Sequence, residues 1–278
     1  MSGVTYQLTD LLYLMARLRD PDGGCPWDLQ QDFASIVPHT LEEAYEVADT
    51  IEREDFAHLP SELGDLLFQV VYYSQLGHEQ QLFDFYTVVQ SITEKLIRRH
   101  PHVFADGQLY GAAQTATVNT EQVKERWEDI KQQERAEQAE PEHTVSVLAD
   151  VPFNLPALSR ALKLQKRASN VGFDWSSLPP VVDKVSEELT EVCEAIASGE
   201  QAAISEELGD LLFATVNVAR HLQINPETAL RAANIKFTER LQHVEQQAQQ
   251  QGITLSECSE AQLDAFWNLA KQALSKPQ

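Results

Sequence analysis

A chain of 278 residues in which 43% are hydrophobic and 23% charged has the balance of a folded globular protein and the length of two ordinary domains. Its formal charge of −22 repels nucleic acid and anionic lipid, which argues against either as the main partner. It does not exclude a phosphorylated small molecule, because cations held by carboxylates invert the local field.

Cys25, Cys193 and Cys258 are scattered singly and odd in number, so they suggest neither a metal-binding CxxC pair nor a disulfide framework. No apolar run approaches the roughly 18 residues that span a bilayer. The opening MSGVTYQLTD has neither the basic stretch nor the apolar stretch of a secretory leader. A cytoplasmic protein without a membrane partner is expected.

Helical periodicity then runs along nearly the whole chain. Pro21 to Pro26 and Pro38 punctuate the first stretch, and LEEAYE follows with Glu42, Glu43 and Glu46. After Pro60 comes the heptapeptide ELGDLLF, Glu62 to Phe68. Its Leu63, Leu66, Leu67 and Val70 fall at i, i+3, i+4 and i+7, one stripe of a helix. EKLIRRHPHV ends a further helix at His100 and Pro101, and RWEDIK carries Trp127 and Lys131. The stretch QQERAEQAEPEH, Gln132 to His143, lacks an apolar face and contains Pro141, so it reads as a solvated helix end running into a linker. We expect a first domain over 1–135, a linker over 136–150 and a second domain over 151–278. The plainer alternative is a connection between two packed helices of one fold.

Beyond Pro152 and Pro156 the order of features repeats. SEELTE brings Glu187, Glu188 and Glu191, Gly199 breaks the helix, and ELGDLLF returns as Glu207 to Phe213. Glu42 and Glu187, Glu62 and Glu207, and Asp65 and Asp210 are each 145 residues apart. Lys95 and Lys236, like Arg99 and Arg240, are 141 apart, and Trp127 and Trp267 are 140 apart. An internal duplication explains these offsets with small insertions. Alternating strand patterns are not visible. The expected fold class is all-α, two tandem helical bundles.

Spacing also suggests chemistry. Glu188 and Glu191 share one face of a helix, as do Glu207 and Asp210 on the next, beside the stripe of Leu208, Leu211 and Leu212. If the two helices pack antiparallel through those leucine stripes, which then hold the bundle, the four carboxylates converge, and four such groups cannot stay ionised together without cations. Glu43, Glu46, Glu62 and Asp65 repeat the arrangement. Oxygen donors alone favour a hard ion, Mg²⁺ or Mn²⁺, over zinc. Gly209 would let a neighbouring helix or ligand approach closely. The bland reading, two solvated acidic faces, is common for one copy and strained for two with the same internal spacing. Lys236 and Arg240 lie at i and i+4, a fit for phosphate oxygens, and Lys184 precedes Glu188 by four residues. Trp267 and Lys271 pair an aromatic plate with another cation. Asn217, seven residues after Asp210, puts an amide on the acidic face where Tyr72 stands in the first copy.

Taken together, EExxE, fifteen residues and ExxD resemble the MazG nucleoside triphosphate pyrophosphohydrolases, all-α enzymes related to the dimeric dUTPases. CPWD at Cys25 to Asp28, HTLEEAYE at His39 to Glu46, RRHPHVF at Arg98 to Phe104 and LKLQKRASNVGFDW at Leu162 to Trp175 extend the likeness over nearly the whole chain. The resemblance implies a magnesium-dependent, homodimeric hydrolase that takes ribo- and deoxyribonucleoside triphosphates, ATP among them, to monophosphate and pyrophosphate. It implies metal ligation by Glu188, Glu191, Glu207 and Asp210, and Glu187 supporting the shell or the attacking water. It further implies nucleotide contacts from Lys184, Glu187, Glu188, Glu206, Asp210, Asn217, Lys236, Arg240, Trp267 and Lys271. Because His39 and Tyr72 replace Lys184 and Asn217 in the first half, the second half is expected to be the main active site, with two equal sites as the alternative. A magnesium-dependent nucleotide-binding regulatory module without hydrolysis, or a helical scaffold, is a competing class.

Overall fold

The computed structural model describes residues 5–111, 146–149 and 151–274, together with 119, 123, 126, 127, 130 and 134. Most of the expected linker, and Lys131, lie outside the described residues. No strand occurs among them, so the all-α expectation holds. The chain divides into two compact units, Met1–Ala139 and Glu140–Gln278.

The first unit is built on α1 (Leu8–Leu18), a short α2 (Pro26–Leu29), α3 (Phe33–Glu52), α4 (Leu59–Glu79) and α5 (Phe85–Arg99). Asp32 starts α3 by accepting a hydrogen bond from the Ser35 backbone N–H, with Ser35 returning the favour to Asp32, and Asp84 starts α5 with Thr87 in the same way. Pro38, expected to break a helix, lies inside α3. It removes one backbone donor, and the packing of α3 on α4 carries the helix through. Pro60 sits in the first turn of α4, where a missing N–H has no consequence. α3 and α4 form an antiparallel hairpin on which α1 also packs. The core gathers Met15, Ile36, Val71, Tyr72, Leu76 and Phe85. Burying each of the aliphatic side chains among them stabilises by about 1.5–3 kcal/mol.

The second unit repeats the hairpin and adds a longer arm. Its helices are α6 (Ala157–Ser169), α7 (Leu178–Ser198), α8 (Gln201–His221), α9 (Pro226–Gln250) and α10 (Glu260–Ala273). Gly199, at φ 75°, stops α7 in the left-handed conformation that glycine adopts without strain, so α7 and α8 fold back on each other across two residues. α6 packs on α8, and α9 packs on α10 through Val244, Ala248, Phe266 and Ala270.

The heptapeptide stripe departs from expectation. Leu208 and Leu212 are 47% and 54% exposed, and Leu63, Leu67 and Val70 are exposed too, so they do not hold the bundle within their own unit. Apart from the backbone of its own helix and its chain neighbours, no atom of the described residues comes within 4 Å of where a Cβ on Gly64 or Gly209 would stand. The spacing identified the stripe correctly, but the neighbour that would cover it, and use the gap at glycine, is not in the same hairpin.

Candidate active site

α7 and α8 run antiparallel, so Glu188 on one comes opposite Glu207 and Asp210 on the other. Carboxylate oxygens of these three lie within 4.8 Å of one another. Glu188 is buried at 6% exposure, Glu207 is half-buried and Asp210 exposed, so the group opens on one side. Glu191 borders it: burial first, then the Glu188 charge, raises its pKa, with Glu207 and Glu187 contributing. Lys184 Nζ lies 2.7 Å from Glu187 Oε1 and 2.8 Å from Glu188 Oε1, and these two contacts, Glu187 first, hold its pKa above the usual lysine value. One ammonium therefore faces a dense group of carboxylates. Three converging oxygen donors with a surplus of negative charge fit a hard divalent cation.

The first unit has the same triplet, Glu43, Glu62 and Asp65, within the same 4.8 Å. Burial and then Asp65 raise the Glu43 pKa, and Glu46 adds to the effect. His39, where the second unit has Lys184, sits 3.7 Å from Glu42 and edge-on to Trp27.

Behind the second triplet lies a cavity of about 540 Å³. Glu188, Asp210 and Lys184 stand at its polar side; Leu164, Val171, Phe173, Trp175 and Phe213 line its apolar walls. Asn217 and Gln165, both buried, also face it, and Arg220 closes one side. Val147 and Leu148, within the segment expected to be linker, contribute to the wall, and Arg167 donates to the carbonyls of Val147 and Ala149 at 3.3 and 3.4 Å. Gln165, Phe173, Asp174, Trp175 and Arg220 did not emerge as candidates from spacing. The signal available was the FDW stretch, read as family likeness without a role.

Other expected residues lie elsewhere. Arg240 sits over the Trp267 ring at 5.8 Å, and Phe237 packs 5.6 Å from the same ring, all on α9 and α10. Lys236 and Lys271 are exposed on these helices, and Glu206 is exposed on α8. None of Lys236, Arg240, Trp267, Lys271 and Glu206 lines the cavity.

The sequence matches the MazG nucleotide pyrophosphohydrolase domain over residues 31–104 and again over 180–245, once around each carboxylate triplet. The chain belongs to the MazG family. It is 50% identical to the nucleoside triphosphate pyrophosphohydrolase of Escherichia coli K12 over 268 residues, 96% of this chain and 97% of that protein. It is 38% identical to the nucleoside triphosphate pyrophosphohydrolase/pyrophosphatase MazG of Thermotoga maritima over 270 residues, 97% of each. The two MazG segments contain both hairpins but stop short of α6, of Phe173 to Trp175 and of Trp267, so much of the cavity wall lies outside them. No helix among the described residues is long and apolar enough to cross a membrane.

Proposed function

We infer that this MazG chain is a nucleoside triphosphate pyrophosphohydrolase whose main active site is the α7–α8 hairpin. The observation that carries the reading is a carboxylate triplet with a large apolar cavity directly behind it. The relatives' names supply the reaction class. The cavity suits a base and sugar, and the triplet suits the phosphates through metal. A pure nucleotide sensor would need the cavity; it would have less use for five clustered carboxylates.

Glu188, Glu207 and Asp210, bordered by Glu191, would hold Mg²⁺, or Mn²⁺ with the same preference for oxygen. Such an ion supplies Lewis acidity toward phosphate oxygens and acidifies water in its shell. Water attacks the α-phosphorus, the bond to the oxygen bridging α and β breaks, and pyrophosphate leaves. Glu187, exposed beside Lys184, orients the water and takes up its proton. Lys184 offsets charge at the rim, and Asn217 contacts the nucleotide inside. Lys236, Arg240, Trp267, Lys271 and Glu206 would reach a nucleotide on a second copy of the chain. A homodimer formed over the exposed leucine stripe and the open face at Gly209 accounts for that, since such a stripe is costly to leave in water.

The first unit has its own triplet, and we assign it a regulatory or dimer-building role. The test is pyrophosphate release from a panel of triphosphates by the Asp65→Asn and Asp210→Asn variants. Loss with the second only is expected; loss with the first only overturns the assignment, and no release by wild type with any nucleotide overturns the enzyme reading.

A further inference from the structure

Two buried side-chain amides face the cavity, and each is held by a partner that settles which end is oxygen and which is nitrogen. Arg220 Nε donates to Asn217 at 2.8 Å, and since arginine can only donate, the accepting atom is Oδ1. The Asn217 N–H₂ is left without a partner among the described residues, on a residue that lines the cavity. Gln165 Nε2 donates at 2.8 Å to the Phe213 carbonyl, and since a carbonyl can only accept, the other end is Oε1. That Oε1 is buried and has no partner. An amide oxygen so placed is left unsatisfied until something donates to it. Phe213 and Asn217 are one helical turn apart on α8, so the two amides are neighbours.

Arg220 is itself fixed. Its side chain is 10% exposed and grips Asp174 with both terminal nitrogens, one at 2.8 Å to Oδ2 and the other to Oδ1, which His221 Nε2 also approaches at 3.2 Å. This two-point contact holds the Asp174 pKa below its ordinary value. Asp174 belongs to the same loop as Phe173 and Trp175 of the cavity wall. In the first unit the positions corresponding to Asn217 and Arg220 are Tyr72 and Gln75, and the chain of contacts is missing.

We propose that Asp174 and Arg220 are positioning residues that hold the Asn217 amide with its N–H₂ toward the cavity, and that Asn217 and the Gln165 carbonyl together hydrogen-bond the edge of the nucleotide's base. The proposal rests on the reading that the cavity takes that base. One donor beside one acceptor matches an acceptor beside a donor on the ligand. Adenine and cytosine offer a ring nitrogen beside an amino group; guanine and uracil offer a carbonyl beside a ring N–H. The pair therefore recognises a base as such, without choosing among the four, and the apolar walls supply the rest.

The test compares wild type with Asn217→Asp and Asp174→Asn on ATP and on ribose 5-triphosphate, which keeps sugar and phosphates but has no base. Asn217→Asp retains an oxygen for Arg220 and loses the donor. On ATP it should lower kcat/KM about tenfold or more, through KM, with kcat little changed. Asp174→Asn should act in the same direction by about threefold, since it loosens the guanidinium without removing the amide. Turnover of ribose 5-triphosphate by both variants should match wild type. Equal losses on both substrates, or no loss on ATP, would overturn the proposal. If wild type itself handles the two substrates alike, the base does not occupy the cavity, and that reading fails first. Should Asp174→Asn not fold, Asn217→Asp decides alone.

Discussion

The two hairpins carry the same heptapeptide and the same triplet of carboxylates, yet among the described residues only α7–α8 backs its triplet with a large cavity. In the first unit Tyr72, 1% exposed, occupies the position of Asn217, and its hydroxyl donates to the Asp28 carbonyl at 3.0 Å. Arg19 stands over its ring and pairs with Glu79, joining α1 to the end of α4. The side chain that would face a base has become part of the core. Arg99, counterpart of Arg240, is likewise engaged: with Arg98 it grips Glu134, which pushes that carboxyl down to about 2. On the function proposed above, the contrast puts the difference between the two units in the space behind the carboxylates and not in the carboxylates themselves.

The sharpest way to break this comparison is to remove one ligand from each triplet. Asp210→Asn should lower the rate of pyrophosphate release by about a thousandfold or more, as loss of a metal ligand at a reacting centre does, while Asp65→Asn should leave it within about threefold. Chelation of divalent ions should abolish release from the wild-type chain and added Mg²⁺ should restore it; activity that persists in chelator would remove the triplet from the chemistry.

A smaller effect is expected from giving the second unit the first unit's residue. Asn217→Tyr should raise KM for nucleoside triphosphates about tenfold or more by filling the cavity, with Mn²⁺ binding measured by calorimetry unchanged. The reverse exchange, Tyr72→Asn, removes a buried ring and should destabilise the chain by about 3 kcal/mol in urea melts without creating activity.

The smallest effect concerns the Arg19–Glu79 pair. Its hydrogen bond to Arg19 depresses the Glu79 pKa below 4.5. The stabilisation is therefore present above the ordinary carboxylate value and is lost as pH falls through the depressed one. Glu79→Gln should cost about 1 kcal/mol at pH 7, and the gap to wild type should close as the pH falls below the ordinary carboxylate range in melts followed by circular dichroism.

Much of this was legible in the residues because duplication doubles every signal. The constant offset of 145 residues linked Glu43 to Glu188 and Asp65 to Asp210, and helical spacing placed each on its face. What spacing cannot supply is the identity of the neighbour. Leu208 and Leu212 belong to the expected stripe, yet their own unit leaves each about half exposed. Pro38 was expected to end a helix that packing carries through. The cavity joins α6, the Phe173–Trp175 loop and α8, residues far apart in sequence whose shared surroundings no local period records. Lys236, Arg240, Trp267 and Lys271 recur at fixed offsets, but recurrence says nothing about which surface they line.

Each carboxylate triplet is drawn from a single hairpin: 22 residues separate Glu43 from Asp65, and 22 separate Glu188 from Asp210. Bringing such close neighbours together loses little chain entropy, and low sequence separation favours rapid formation. Each triplet is thus complete once two adjacent helices close, without any distant segment. A unit whose candidate ion ligands all lie in one short stretch can be copied in tandem without loss, and one copy is then free to fill its neighbouring space with a tyrosine.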